Sequence, residues 1–154
     1  MSNILLVRMM QKLCKVYYPV EFNSDKIYQH PKFEDDIRDI LENSGLGKKF
    51  VETFRKKLYF IEKDMYKSTE ARWFEKLKEE EGLFSIKFNM NKNIRVICMF
   101  TDSPKRKIAV LLCGFEEKNN KNKSKDSYDK GIEKAAKRKK EIEAGFLLEG
   151  DQQK

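Results

Sequence analysis

Residues 83–115 of this chain, LFSIKFNMNKNIRVICMFTDSPKRKIAVLLCGF, decide the fold, because three apolar segments are separated by two polar ones. The first segment alternates apolar and polar residues, which is typical of a strand with one buried face. The last is an almost continuous apolar run and predicts a central strand buried on both faces. We therefore expect an antiparallel meander. Its strands are Leu83–Phe88, Ile94–Phe100 and Ile108–Phe115, and its turns are Asn91–Asn93 and Thr101–Arg106.

Two apolar patterns with helical spacing precede the meander. Pro31 sits where a helix would begin, a position that proline favours. The first stripe is formed by Phe33, Ile37, Ile40 and Leu41, and the second by Phe50, Val51, Phe54, Leu58, Ile61 and Met65. Gly45 and Gly47 lie between them and predict the turn of a helical hairpin. We expect this hairpin to pack on one face of the sheet.

The flanking segments are assigned from weaker patterns. Val16–Phe22 (VYYPVEF) is rich in β-branched and aromatic residues and predicts an edge strand, since Pro19 cannot donate a backbone hydrogen bond. Glu116–Lys130 is polar and lysine-rich and predicts a loop, followed by a last helix from about Ser127 to Glu143. Residues 68–77 predict a short capped helical turn that carries Trp73, Phe74 and Leu77.

The sequence thus predicts one domain of the α+β class, with an antiparallel β meander packed against an N-terminal helical hairpin and a C-terminal helix. Residues 16–145 form this domain. Residues 1–15 are an N-terminal extension, and residues 146–154 are a C-terminal tail. The apolar part of the tail, Phe146-Leu147-Leu148, is expected to pack back on the domain.

The chain is strongly basic, with a formal net charge of +8 and a pI of about 9.3. This favours a polyanionic partner, although a charge excess that only maintains solubility remains an open alternative. The cysteines, Cys14, Cys98 and Cys113, are scattered, and His30 is the single histidine. A zinc site therefore has too few ligands, and we expect no cofactor. No apolar stretch is long enough for a membrane span or a signal peptide, so we expect a cytoplasmic protein.

Four segments resemble one family in residue detail. They are Gly82–Phe88 (GLFSIKF), Ile94–Ile97 (IRVI), Val110–Lys118 (VLLCGFEEK) and the helix with Ile132, Glu133, Ala135, Ala136 and Arg138. Together they resemble the HigB-like, phage-derived branch of the RelE/ParE toxin superfamily, which shows GLwElR, yRvly, vlLhgFxKK and eixxAxxR. The resemblance covers residues 16–143 and is sharpest from Gly82 onward. This sequence departs from the branch at two positions. Lys87 stands where the branch has an arginine, and Glu117 stands where the branch has the first residue of a basic pair.

The resemblance implies a RelE-like fold and the toxin component of a type II toxin–antitoxin system. Such toxins cleave mRNA, often on the ribosome and without a metal ion, and a cognate antitoxin neutralises them. We expect that antitoxin to be a helix-turn-helix protein. Cleavage without metal uses the ribose 2′-OH as the nucleophile on the adjacent phosphate. The enzyme must remove that proton, stabilise charge on phosphorus and protonate the leaving 5′-oxygen.

The resemblance assigns this chemistry to Arg95, Lys87, Lys118 and Tyr128. Arg95 is expected to clamp the phosphate, unless it is a solvent-facing arginine or is paired with a glutamate. Lys87 and Lys118 would bind phosphate, with Lys87, Glu116 or Glu117 as the base. Glu116 and Glu117 could instead pair with these cations, and Lys87 as an ordinary exposed lysine remains an alternative. Tyr128 would stack on a base or donate a proton, unless it is the first packing residue of the last helix. The predicted RNA-binding residues are Lys92, Lys121, Lys123 and Lys125.

Two other functions remain open. ParE-type relatives share the fold, target DNA gyrase and need no nuclease site. A nuclease-inactive phage or mobile-element relative would only bind nucleic acid or a partner protein. The acidic Glu117 and the distance of His30 from the motifs in sequence favour this second alternative.

Overall fold

A computed structural model of the chain describes residues 10–118 and 121–151. These residues form three α-helices, seven strands and one 3₁₀ turn, which spans Met65–Glu70. The elements are β1 (Gln11–Leu13), β2 (Ile27–Gln29), α1 (Phe33–Ser44), α2 (Gly47–Asp64), β3 (Phe74–Lys76), β4 (Phe84–Asn89), β5 (Asn93–Asp102), β6 (Lys107–Glu117), α3 (Lys121–Glu143) and β7 (Phe146–Leu148). No helix in the described part of the chain is long and apolar enough to cross a membrane.

The main sheet has the strand order β2-β6-β5-β4-β3. The predicted meander is confirmed, because β4 pairs antiparallel with β5 and β5 with β6. The sheet as a whole is mixed, since β2 runs parallel to β6. The α+β class is therefore confirmed. In this register Lys87 of β4 lies opposite Arg95 of β5, and Arg95 lies opposite Phe115 of β6.

Helices cover both faces of this sheet, because its strands are apolar on both sides. On one face the predicted hairpin, α1 and α2, buries its apolar stripe against alternate strand residues. Phe50 of α2 lies 4.9 Å from Phe88 of β4, measured between ring centroids. On the other face α3 buries Ile132, Ala135 and Ile142. Full burial of an isoleucine or phenylalanine side chain contributes about 1.5–3 kcal/mol of transfer free energy.

Polar contacts fix α3 on the sheet at two places. The Nη1 atom of Arg138, which is buried, donates to Asp36 of α1 at 2.6 Å and to the carbonyl of Leu112 at 2.7 Å. Nearer the end of α3, Glu141 contacts His30 at 3.0 Å. A buried ion pair such as Arg138–Asp36 needs both partners. If one is removed, the other charge remains buried without compensation.

The edge strand predicted at Val16–Phe22 is wrong. In this segment only Val16 and Phe22 form a bridge, through a 2.8 Å bond from the Phe22 N–H to the Val16 carbonyl. The chain turns back between them at Pro19. The apolar residues of this segment therefore pack a compact turn against the core and do not form a strand. The first strand of the main sheet is instead β2, which is too short to show an alternating pattern.

Two further boundaries differ from the sequence prediction. The helical turn predicted around Trp73 and Phe74 is wrong, because Phe74–Lys76 pairs with β4 as an edge strand. The loop predicted at Glu116–Lys130 is also wrong. The strand β6 continues to Glu117 and α3 begins at Lys121, while residues 119 and 120 lie outside the described part. The first turns of α3 are lysine-rich and carry no apolar stripe. Because helix prediction from sequence depends on such a stripe, the pattern here did not indicate a helix.

The tail packs back on the domain as predicted. Its apolar residues form β7, which pairs in parallel with β1, and Leu13 and Leu148 from the two strands are buried. The segments near the two ends of the chain therefore lie side by side. Residues 1–9 and 152–154 lie outside the described part of the chain.

Candidate active site

Arg95 lies in the first half of β5, on the face of the sheet that α3 covers, and is only 6 % exposed. Its Nε atom donates to the Tyr128 hydroxyl at 2.9 Å, and its Nη1 atom donates to the Asn89 side chain at 3.0 Å. Its Nη2 atom lies 2.6 Å from the carboxylate of Glu117. A buried guanidinium requires such partners, because its desolvation is otherwise too costly. The glutamate pairing that the sequence left open for Arg95 is present in the structure.

Tyr128 connects α3 to this cluster. Its ring meets the ring of Phe115 edge-on, with 5.2 Å between centroids, while its hydroxyl accepts the bond from Arg95. Burial raises the pKa of the Tyr128 phenol, and the neighbouring Ser85 and Arg95 oppose that rise. The hydroxyl therefore stays protonated at neutral pH and can serve as a proton donor.

Lys87 and Lys118 are placed differently with respect to Arg95. Lys87 is half-buried and is the direct cross-strand neighbour of Arg95, so both side chains project from the same face of the sheet. Lys118 follows β6 and is exposed, and its ammonium pairs with Glu116 at 3.0 Å. The structure thus brings Arg95, Lys87 and Tyr128 together and does not bring Lys118 to them.

Two of the four predicted RNA-binding lysines have described side chains, and both are exposed near this region. Lys92 is exposed in the turn between β4 and β5, and Lys125 is exposed on α3. Lys121 and Lys123 belong to α3, and their side chains lie outside the described part. His30 is remote from Arg95, since its partner Glu141 follows Tyr128 along α3 by about 20 Å at 1.5 Å per residue.

Lys57 of α2 lies near the cluster but on the opposite face of the sheet, and the sequence alone did not reveal this position. Its Nζ atom lies 4.4 Å from the ring centre of Phe88 and 5.0 Å from that of Trp73, and it donates to the carbonyl of Lys87. Burial lowers the pKa of Lys57 to about 8, and the charges of Arg95 and Lys87 act in the same direction. The only sequence signal is its position at the border between the apolar and polar sides of α2.

The cluster is a surface site rather than a deep cavity. Two concavities of the described chain lie away from Arg95, one of about 440 Å³ beside β7 and one of about 380 Å³ at the end of α2. An extended polymer has access to Lys87, which is half-buried, and to Asn89, which is exposed, at the edge of the cluster. An arginine with neighbouring lysines is well suited to bind a phosphate group.

No match to this chain is found among protein-family models, curated proteins or solved structures. The resemblance to the RelE/ParE superfamily therefore stays a prediction from the sequence motifs. The function has to be inferred from the chemistry of Arg95 and its neighbours.

Proposed function

We propose that the protein is a toxin of the RelE/ParE kind that cleaves mRNA without a metal ion and is neutralised by a cognate antitoxin. The observation that carries this proposal is the contact between the buried Arg95 and the hydroxyl of Tyr128. It places a fixed positive charge beside a proton donor, next to the carboxylate of Glu117. These are a phosphate clamp, an acid and a base within one cluster.

In the proposed reaction Glu117 accepts the proton of the ribose 2′-OH. The 2′-oxygen then forms a bond to the adjacent phosphorus, and Arg95 and Lys87 stabilise the added negative charge. The bond from phosphorus to the 5′-oxygen breaks, and Tyr128 donates its proton to that leaving oxygen. The products are a 2′,3′-cyclic phosphate and a 5′-hydroxyl, and DNA is not cut because it lacks the 2′-OH.

A second candidate function is a nuclease-inactive protein that binds nucleic acid or a partner protein. The observation that favours it is the 2.6 Å contact between Glu117 and Arg95, which occupies the guanidinium with an acid of the chain itself. In this alternative the ion pair is structural, and a phosphate does not replace it.

Inducible expression in a bacterial host that lacks the cognate antitoxin tests the proposal. The wild type is compared with Arg95→Gln, and the matched control is Arg106→Gln, which removes another arginine hydrogen-bonded to a tyrosine, Tyr28. We expect growth arrest and new mRNA 5′ ends with the wild type and the control, and neither with Arg95→Gln. Arrest with intact mRNA would point to a gyrase-type target, and no arrest by soluble wild type would favour the binding protein.

A further inference from the structure

The outward side of α2 is strongly basic and carries exposed aromatic rings. Its exposed cations are Lys48, Lys49, Arg55, Lys56 and Lys63. Of the acids of this helix, Glu52 is exposed, and Glu62 and Asp64 are half-buried. Tyr59 and Phe60 lie among the cations and are 59 % and 41 % exposed. At 3.6 residues per turn, all of these exposed side chains fall within an arc of about 140°. We call this surface the basic–aromatic face of α2.

The charge of this face differs in sign from that of the neighbouring helix of the hairpin. The neighbouring helix α1 exposes mainly acids, namely Asp35, Asp39 and Glu42, beside one exposed cation, Arg38. If the excess charge only kept the protein soluble, acids and bases would be mixed on both helices of the hairpin. A separation of charge by sign is typical of a helix face that meets a polyanion.

The basic–aromatic face of α2 extends to the edge of the main sheet at β4. Phe60 packs edge-on against Trp73, with 5.3 Å between the ring centroids. The ammonium of Lys57 lies over the same Trp73 ring at 5.0 Å and donates to the carbonyl of Lys87. Aromatic and cationic groups therefore extend from the outside of α2 to the backbone of β4 at Lys87, while the side chains of Lys87 and Arg95 project from the other face of the sheet.

We propose that the basic–aromatic face of α2 binds single-stranded RNA. Lysines and arginine contact the phosphates, and Tyr59 and Phe60 stack on unpaired bases. Cations alone would suit any polyanion, but exposed rings interleaved with cations favour a strand whose bases are unpaired. Binding at this face does not require cleavage, so the inference goes beyond the proposed nuclease and can hold without it.

The test uses a fluorescein-labelled oligouridylate with 2′-O-methyl riboses, which cannot be cut by 2′-OH attack, and measures binding by fluorescence anisotropy across a salt series. We expect Lys56→Glu combined with Lys63→Glu to lower affinity about tenfold or more and to reduce the salt dependence. The matched control, Lys137→Glu combined with Lys140→Glu, makes the same charge change at exposed positions of α3. We expect it to bind nearly as well as the wild type.

A third variant, Tyr59→Ala combined with Phe60→Ala, tests the rings. It should lower affinity about fivefold or more while the salt dependence stays the same, because stacking releases no counterions. Thermal unfolding of each variant shows that the fold is kept. The inference is overturned if the wild type does not bind the oligomer, if both charge reversals weaken binding equally, or if loss of the rings has no effect. Binding without any cleavage of unmodified RNA would refute the nuclease and leave this inference standing.

Discussion

The side chain of Arg95 on β5 reaches Tyr128 on α3, with 2.9 Å between its Nε atom and the phenol oxygen. This bond joins the sheet to the helix that covers it, and in the proposed reaction it joins the phosphate clamp to the acid. Structure and chemistry therefore depend on the same hydroxyl group. The two dependences can be separated, because a second arginine–tyrosine bond, from Arg106 to Tyr28, lies at the other end of the sheet.

Tyr128→Phe removes the hydroxyl and keeps the ring against Phe115. We expect the free energy of unfolding to fall by about 1–3 kcal/mol, because the buried guanidinium loses one partner. Cleavage of RNA should fall by about 100-fold or more if the hydroxyl is the acid. The control Tyr28→Phe removes a hydroxyl bonded to the less buried Arg106 and should keep full cleavage, as measured by urea unfolding and by product formation on labelled RNA. Equal cleavage by the two variants would remove Tyr128 from the reaction.

Glu117→Gln separates the two candidate functions. The substitution keeps the size of the side chain and removes the negative charge that lies 2.6 Å from Arg95. If Glu117 is the base, cleavage falls by about 100-fold or more while affinity for uncleavable RNA rises, since Arg95 becomes available to phosphate. Both quantities are measured on the same preparation. An unchanged cleavage rate would contradict the assigned base, and Glu116→Gln, which loses only the exposed pair with Lys118, is the control.

The pKa of Lys57 predicts how stability depends on pH. A lysine whose pKa falls from 10.5 in the unfolded chain to about 8 in the fold binds fewer protons when folded. Stability therefore rises with pH between about 8 and 10.5, and below that range the buried charge is a constant penalty. We expect Lys57→Met to be more stable than the wild type at neutral pH and to lose this rise. Urea unfolding at several pH values checks it.

The control for Lys57→Met is Lys56→Met, which changes the next residue on the exposed side of α2. It removes the same charge without burial, so its stability should follow the wild-type pH dependence. Tyrosines and cysteines that titrate at high pH affect all three proteins alike. If Lys57→Met and the wild type have parallel pH profiles, the lowered pKa of Lys57 is refuted.

The central part of the fold was predictable because its signals are local. Three apolar strands with turn residues between them specify a meander, and two apolar stripes joined by glycines specify a helical hairpin. By contrast, the strands β2 and β3 have three residues each, too few for a periodic pattern. They are strands because β6 and β4 supply their hydrogen-bond partners, and such partners are not visible in the local sequence.

The candidate site was predictable only in part, for a similar reason. Arg95 stands out as a charge within an apolar strand, and its motif pointed to Lys87 and Tyr128 as neighbours. Which acid pairs with Arg95 depends on the register between β5 and β6, which places Asn93 opposite Glu117. Lys57 enters from α2, and only the packing of the hairpin on the sheet brings it over Phe88.

A substitution at Gly131 of α3 tests whether α3 must approach the sheet closely to position Tyr128. A Cβ atom at this position would lie 2.5 Å from the ring of Phe115, which itself packs on Tyr128. Gly131→Ala gains about 1 kcal/mol of helix propensity but adds strain of about 1–3 kcal/mol, and we expect a net loss of stability. The loss should be smaller in a Phe115→Leu background, where the ring is absent. A double-mutant cycle from urea unfolding measures this coupling, and additive effects would show that Phe115 does not limit the approach of α3.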